Sequence, residues 1–205
     1  MEGVIIERTI ENLERNGFSV KFFEDSQSAK EAMLEEIKPD QTVGFGGSMT
    51  IVDMGIYEIL KERGNPVYWH WKAGEGEDRK ELLKQAANTD VYFSGTNAIT
   101  ECGRLVNIDA TCNRISGILF GHDKVIIVSG VNKITRSLDE ALVRIKNIAT
   151  PANAKRLGIK TPCAEVGKCM NCDSEDRICR ATLIIDRVPR ANPITIYLIN
   201  ENLGY

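Results

Sequence analysis

The first apolar positions of the chain fall at helical spacing. Val4, Ile5, Ile6, Ile10 and Leu13 share one face of a segment from Val4 to Arg15, and Gly17 closes it. Phe18 to Phe23 then reads as a short strand, followed by a helix capped near Ser26 and ended before Pro39. Thr42-Val-Gly-Phe-Gly46 has the length and apolarity of a buried strand, and a helix from Met49 to Arg63 follows, stopped by Gly64. Pro66 to Trp71 is a further strand, Asp78 to Asn88 a polar helix, and Asp90 to Ser94 another strand. Lys124 to Ser129 is apolar for four consecutive residues, as a strand covered on both faces must be. Ser137-Leu-Asp-Glu140 is a capping box that opens a helix to Ile148, and a short helix runs from Pro151 to Leu157. Ala181 to Asp186 and Ile194 to Ile199 are the last strands, and the turn residues Val188 to Pro193 predict that they pair as an antiparallel edge hairpin.

Strands alternating with helices of this length imply an α/β fold, a mainly parallel sheet with helices on both faces. The pattern divides the chain into an α/β domain over 1–160, a cysteine-rich segment over 161–180, and strands over 181–205 that complete the same domain. At 205 residues the chain is long enough to bury a core of its own. Charged residues make up 27% and the net charge is −3, so there is no basic surplus to recruit nucleic acid. No apolar run approaches the roughly 20 residues of a membrane helix. The N-terminal residues read as a charged helix rather than a signal peptide, which leads us to expect a cytoplasmic protein.

The cysteines change the picture. Four of the six lie in one stretch, Cys163-x5-Cys169-x2-Cys172-x6-Cys179, in a segment too poor in large apolar residues to order itself by burial. Two disulfides do not suit the expected compartment, and four unligated thiols would be an unusual coincidence in a chain with so few. A metal is the remaining reading. One CxxC flanked by single cysteines favours a [4Fe-4S] cluster over zinc, whose ribbons usually pair two such knuckles, and zinc stays the alternative. Lys168, Arg177 and Arg180 stand beside the thiols, where they can offset the charge of either complex.

Ligands of such sheets bind beyond the carboxyl ends of the strands, and three loops there carry chemistry. In Gly44-Phe-Gly-Gly-Ser-Met-Thr50, the glycines and hydroxyls of Gly46, Gly47, Ser48 and Thr50 suit an anion, although the turn is neither a Walker loop nor a full GxGxxG. A capped strand-to-helix turn is the plain alternative. In the polar stretch from Ser94 to Asn107, Thr96, Asn97 and Asn107 are candidate ligand-binding residues, and Glu101 is a candidate general base or nucleophile. After the central strand, Asn132 and Lys133 complete the set, with Lys133 placed to hold an anion or act catalytically. His70 and His122 have no partners at ligand spacing and read as structural. Cys102, beside Glu101, is either a reactive thiol or a buried inert one.

These blocks also carry a resemblance. Gly44 to Ser48, Ser94 to Glu101, Leu105 to Asp109 with Asn113-Arg114, Val125 to Ile134, and Ala141 to Leu157 resemble, in order, the LUD (lactate utilization) domain. The resemblance implies a NagB/RpiA/CoA-transferase-like fold, in a superfamily whose sites use a glycine-rich strand-to-helix turn and an acidic residue in a later loop. These would correspond here to Gly46–Thr50 and Glu101. Larger lactate-utilization proteins join an iron–sulfur region to a LUD domain, which supports iron for the quartet. Three functions follow as expectations. One is an iron–sulfur component of lactate or 2-hydroxy-acid utilization that binds a small anionic metabolite and meets a redox partner protein. A second is an isomerase, transferase or hydrolase acting on a phosphorylated or CoA-linked molecule, with the metal structural. A third is a metal-stabilised binding or regulatory module. The superfamily's dimers suggest a homodimer, with the strand carrying Trp69 and Trp71 as its interface.

Overall fold

The computed structural model describes residues 2–205. Its main sheet holds β1 (Ser19–Phe23), β2 (Val43–Phe45), β3 (Val67–Tyr68), β4 (Val91–Gly95), β7 (Lys124–Gly130) and β10 (Ile194–Ile199), in the order β1-β10-β7-β4-β2-β3. Every neighbouring pair is parallel. A second sheet, order β8-β5-β6-β9, combines β5 (Ala98–Thr100), β6 (Leu105–Asp109), β8 (Ile134–Thr135) and β9 (Ala181–Ile185).

The strand runs that are apolar at almost every position lie innermost, as two-sided burial requires. β4 and β7 are buried along nearly their whole length, and Phe93, Ile126 and Val128 are 0% exposed. On one face, α2 (Ser26–Glu36), α3 (Met49–Met54) and α4 (Ile56–Glu62) bury Met33, Ile51, Ile56 and Leu60 against Phe45, Phe93 and Tyr197. On the other, Leu13 of α1 (Glu2–Arg15) and Ile118 of α6 (Asn113–Leu119) join Ile99, Leu105 and Ile185 of the small sheet. Asp25 caps α2 and Asp78 caps α5 (Arg79–Ala86), each accepting a backbone N–H. Ser137 Oγ accepts from Glu140 N at the start of α7 (Leu138–Arg144), while the Glu140 carboxylate reaches Arg136 N, one residue before the cap. α7 continues through a π-helical stretch, Ile145–Ala149, into α8 (Thr150–Leu157). Among the described residues no helix is long and apolar enough to cross a membrane.

Four expectations need correction. The last two strands do not form a hairpin. β9, whose exposure alternates, pairs antiparallel with β6, while β10 lies between β1 and β7. The helix from Met49 breaks at Gly55, whose φ of +65° ends one helix and begins the next. The strand from Pro66 stops after Tyr68 and gives way to a 3-10 turn over His70–Lys72. Trp69 is 1% exposed and stacks on Phe45 at 5.3 Å, so it is core and offers no interface. The fourth is the polar stretch after β4, which is not a loop. It forms β5 and β6, with Thr100 and Asn107 fully buried.

Candidate functional site

The carboxyl ends of β2, β4 and β7 open into a cavity of about 170 Å³. Its floor is made by Gly47, Ser48 and Thr50 after β2, by Thr96 and Asn97 after β4, and by Lys133 after β7. His70 and Trp71, the turn from Asp109 to Asn113, and the α8 residues Thr150, Asn153 and Arg156 form its walls, with Ile178 and Tyr205. The three strand-following loops therefore do meet, at the crevice where open α/β sheets bind ligands.

Lys133 lies in the floor of this cavity. It is 4% exposed, and its Nζ donates to Thr50 Oγ1 at 2.8 Å. The Thr50 hydroxyl in turn donates to Leu203 O at 3.4 Å. Among the described residues no acidic side chain forms an ion pair with Lys133. Burial is the main force lowering its pKa to about 7, helped by Arg144 and Arg114 and opposed by Asp53. At the mouth, the exposed Arg156 lies over the Trp71 ring at 4.2 Å and bonds Asn153 Oδ1 through Nε and Nη2. His70 contributes a Nδ1 that is buried without a partner, and burial lowers its pKa, with Arg79 acting the same way and Asp109 opposing.

Arg114, which is 8% exposed, organises the walls. Its Nη1 reaches Gly95 O (3.3 Å) and Asn107 Oδ1, its Nη2 reaches Asn97 Oδ1 (2.9 Å) and Ile108 O (2.8 Å), and Asp109 Oδ2 lies 3.7 Å from Nε. One planar guanidinium thus ties β4, β6 and the intervening turn together. It also explains Gly46, where a Cβ would come within 2.9 Å of Arg114 Cγ. Gly46 makes room for a side chain and does not line the cavity. A Cβ at Gly47 would meet the Trp71 ring at 2.6 Å, so that glycine sets how closely Trp71 approaches the turn.

The other sequence candidates separate. Ser48, Thr50, Thr96, Asn97 and Lys133 line the cavity together. Asn107 stands behind it, accepting from Arg114 and from Asn97 N. Asn132 accepts from Leu203 N and so anchors the C-terminal segment. Glu101 is not in the cavity. Its carboxylate pairs with Arg8 of α1 and its carbonyl accepts from Asn12 Nδ2, so the polar richness of its loop serves helix docking. Asp109 is the carboxylate at the cavity wall, accepting from Ala110 N and Ile115 N. Arg114 and Arg156 were not singled out as candidate site residues, because helical position carries no signal of what they face, and His70, read from the sequence as structural, lies in the cavity wall. His122, 4% exposed, stacks on Tyr92 at 4.7 Å, with its Nδ1 2.7 Å from Thr89 O. Cys102 is exposed, its Sγ 3.1 Å from Thr100 Oγ1.

The cysteine segment lies beside this site, with Ile178 reaching the cavity next to Cys179. Cys163 is buried in α9 (Pro162–Val166), and the other three cysteines are half-buried. Asn171, with φ +45°, donates its N–H to Cys169 Sγ at 3.4 Å, a contact that suits a thiolate. Arg177 bonds the carbonyls of Cys172 (2.9 Å) and Cys179 (3.0 Å) and so holds those two backbones together. Among the described residues, however, no three His, Cys, Asp or Glu side chains gather where they could hold a metal ion. In this conformation the quartet does not fit a closed metal centre.

With the geometry in hand, comparison with known proteins places the chain. A search of curated proteins finds no match. Among solved structures, the crystal structure of a DUF162 family protein from Deinococcus radiodurans is similar over 97% of this chain and 98% of that one. The TM-score is 0.53 and the identity 11%, a likeness of fold. The model of the LUD domain matches residues 6–199, which takes in both sheets, the cavity and the cysteine segment. The chain belongs to the LUD domain family.

Proposed function

We propose that this chain is the ligand-binding component of a 2-hydroxy-acid (lactate) utilization system and that its cavity takes a small carboxylate-bearing metabolite. The observation that carries the reading is Lys133, an ionisable amine sunk in the cavity floor with, among the described residues, one hydroxyl hydrogen-bond partner and no acidic ion-pair partner. Burying a charge without a counter-ion is costly, and a bound anion removes the cost. The volume of about 170 Å³ falls below the ~300–1,000 Å³ of drug-sized sites, which suits a ligand of a few heavy atoms. Ser48 supplies a hydroxyl and Arg156 a guanidinium at the rim. In this reading the oxidation itself falls to a redox partner protein, and the chain binds and orients the acid.

Calorimetric titration of the full chain tests it. L-lactate or pyruvate is expected to bind, with affinity lost in Lys133→Met and lowered about tenfold, or 1.4 kcal/mol, in Arg156→Ala. Failure of every small carboxylate to bind sinks the reading. Preferential binding of ribose 5-phosphate replaces it with an isomerase, transferase or hydrolase acting on a phosphorylated substrate.

For the cysteine segment we propose, from its composition and the Asn171–Cys169 contact, that closure of the loop brings Cys163, Cys169, Cys172 and Cys179 onto a [4Fe-4S] cluster or a zinc ion. Metal and acid-labile sulfide are to be measured on protein prepared without oxygen. Iron with sulfide, or zinc alone, selects between the two groups. Protein lacking iron, sulfide and zinc removes the proposal.

A further inference from the structure

The cavity floor carries a buried lysine amine within the carboxylate site proposed above. Among the described residues, Lys133 Nζ is held by one protein hydrogen bond, to Thr50 Oγ1, whose own proton is directed to Leu203 O. Thr50 therefore offers Lys133 a lone pair, and an amine that donates one N–H to it keeps its own lone pair for a second partner. The groups facing the site work against a fixed ammonium there. Arg114 of α6 and Arg144 of α7 are cations on two sides, and Asp53 of α3 is the opposing charge. Arg144 itself is held by Asn97 O at 2.7 Å and Tyr205 O at 3.1 Å. Arginine at position 133 would stay charged in this setting, whereas lysine can give up its proton. Its pKa of about 7, set first by burial and then by Arg144 and Arg114, leaves much of it as amine at neutral pH.

From this arrangement we propose that Lys133 captures the carbonyl carbon of a small 2-oxo acid as a covalent imine while Arg156, at the mouth of the cavity, holds the carboxylate of the same molecule. The Nζ lone pair forms a bond to the carbonyl carbon, and the C=O π pair moves to oxygen, which takes one of the two amine protons, the second leaving with it as water in the next step. The carbinolamine then loses water: the C–O bond breaks, the nitrogen lone pair closes C=N, and the proton of nitrogen leaves. One water is released for each imine, and no oxidant or reductant is consumed. Desolvated lysine amines are established nucleophiles toward carbonyls. A 2-oxo acid is the oxidised counterpart of a 2-hydroxy acid, so the proposal rests on the carboxylate-binding reading of the cavity and adds a covalent step to it.

The test uses the full chain with pyruvate as probe and sodium borohydride as trap, read by intact mass and peptide mapping. The expected result is a mass gain equal to pyruvate less one water plus two hydrogens, on the peptide containing Lys133. The gain should be absent from Lys133→Met and suppressed by excess L-lactate, which competes for the cavity but has no carbonyl. Trapping in the wild type is expected to rise with pH through about 7. If calorimetry shows pyruvate binding that depends on Arg156 but Lys133 stays unmodified, or if label falls only on exposed lysines, imine capture is wrong and the anion site stands. If pyruvate neither binds nor labels, both proposals fall. The wild-type arms decide this even if the variant folds poorly.

Discussion

Arg114→Met is expected to lower the unfolding free energy by about 3–5 kcal/mol, the range typical of removing one partner from a buried charged network. The side chain is 8% exposed and satisfies Gly95 O, Asn107 Oδ1, Asn97 Oδ1 and Ile108 O at once. Methionine fills much of the volume but donates nothing, so each acceptor loses one charged donor, while Gly95 O, Asn107 Oδ1 and Asn97 Oδ1 keep Ser94 Oγ, Asn97 N and Ile108 N. Arg114→Lys should recover only part of the loss, because an ammonium cannot span acceptors spread over β4, the turn before β5, and β6. Urea denaturation of the three proteins gives the measurement. A loss under about 1 kcal/mol for the methionine variant would show that the network repacks, and the role assigned to Arg114 would be withdrawn.

The second large effect runs the opposite way. Lys133→Met should be more stable than the wild type at neutral pH, by up to about 3–4 kcal/mol. The gap should close as pH rises. In the folded chain the Lys133 pKa is about 7 and its ordinary value is 10.5. Between those values the unfolded chain binds more protons, so wild-type stability rises with pH through that window, by at most about 1.36 kcal/mol per unit. Below the folded value both states are protonated and the burial penalty is present in full. The methionine variant lacks this contribution throughout. Denaturation midpoints from about pH 7 to 10 check the slope, and parallel curves for the two proteins would remove the case for a strained ammonium. Gained stability with lost ligand binding is the expected mark of a side chain kept for function.

How much of this was legible beforehand depended on which physical signal each segment carries. β4, β7 and β10 were readable because strands covered on both faces are apolar without interruption. The partner of β10 was not readable. The short connection from β9 suggested a hairpin, yet the apolar run Ile194–Ile199 needed two covered faces that only a place between β1 and β7 supplies. The small sheet escaped because Thr96, Asn97, Thr100 and Asn107 look like loop residues. Thr96, Thr100 and Asn107 are buried and Asn97 half-buried, satisfying one another, Arg114 and nearby backbone groups, and local propensity does not register that. Lys133 was found by its place after a central strand. Glu101 was chosen for the chemistry of its loop, but nothing local shows that its carboxylate turns toward Arg8. Arg114 was hidden for the same reason, since its acceptors come from strands before and after β5.

The seating of β10 has a consequence for how the protein forms. Residues 19 and 195 face each other across neighbouring strands, so the edge strand β1 has no neighbour in its sheet until the chain has been synthesised past Ile199. Until then β7 presents an uncovered apolar border of unsatisfied backbone groups, the kind of surface that invites pairing with another nascent chain. Closing so long a loop costs chain entropy before any contact repays it, and non-local pairing of this kind is the sort that folds slowly and leaves a strand edge open in the meantime.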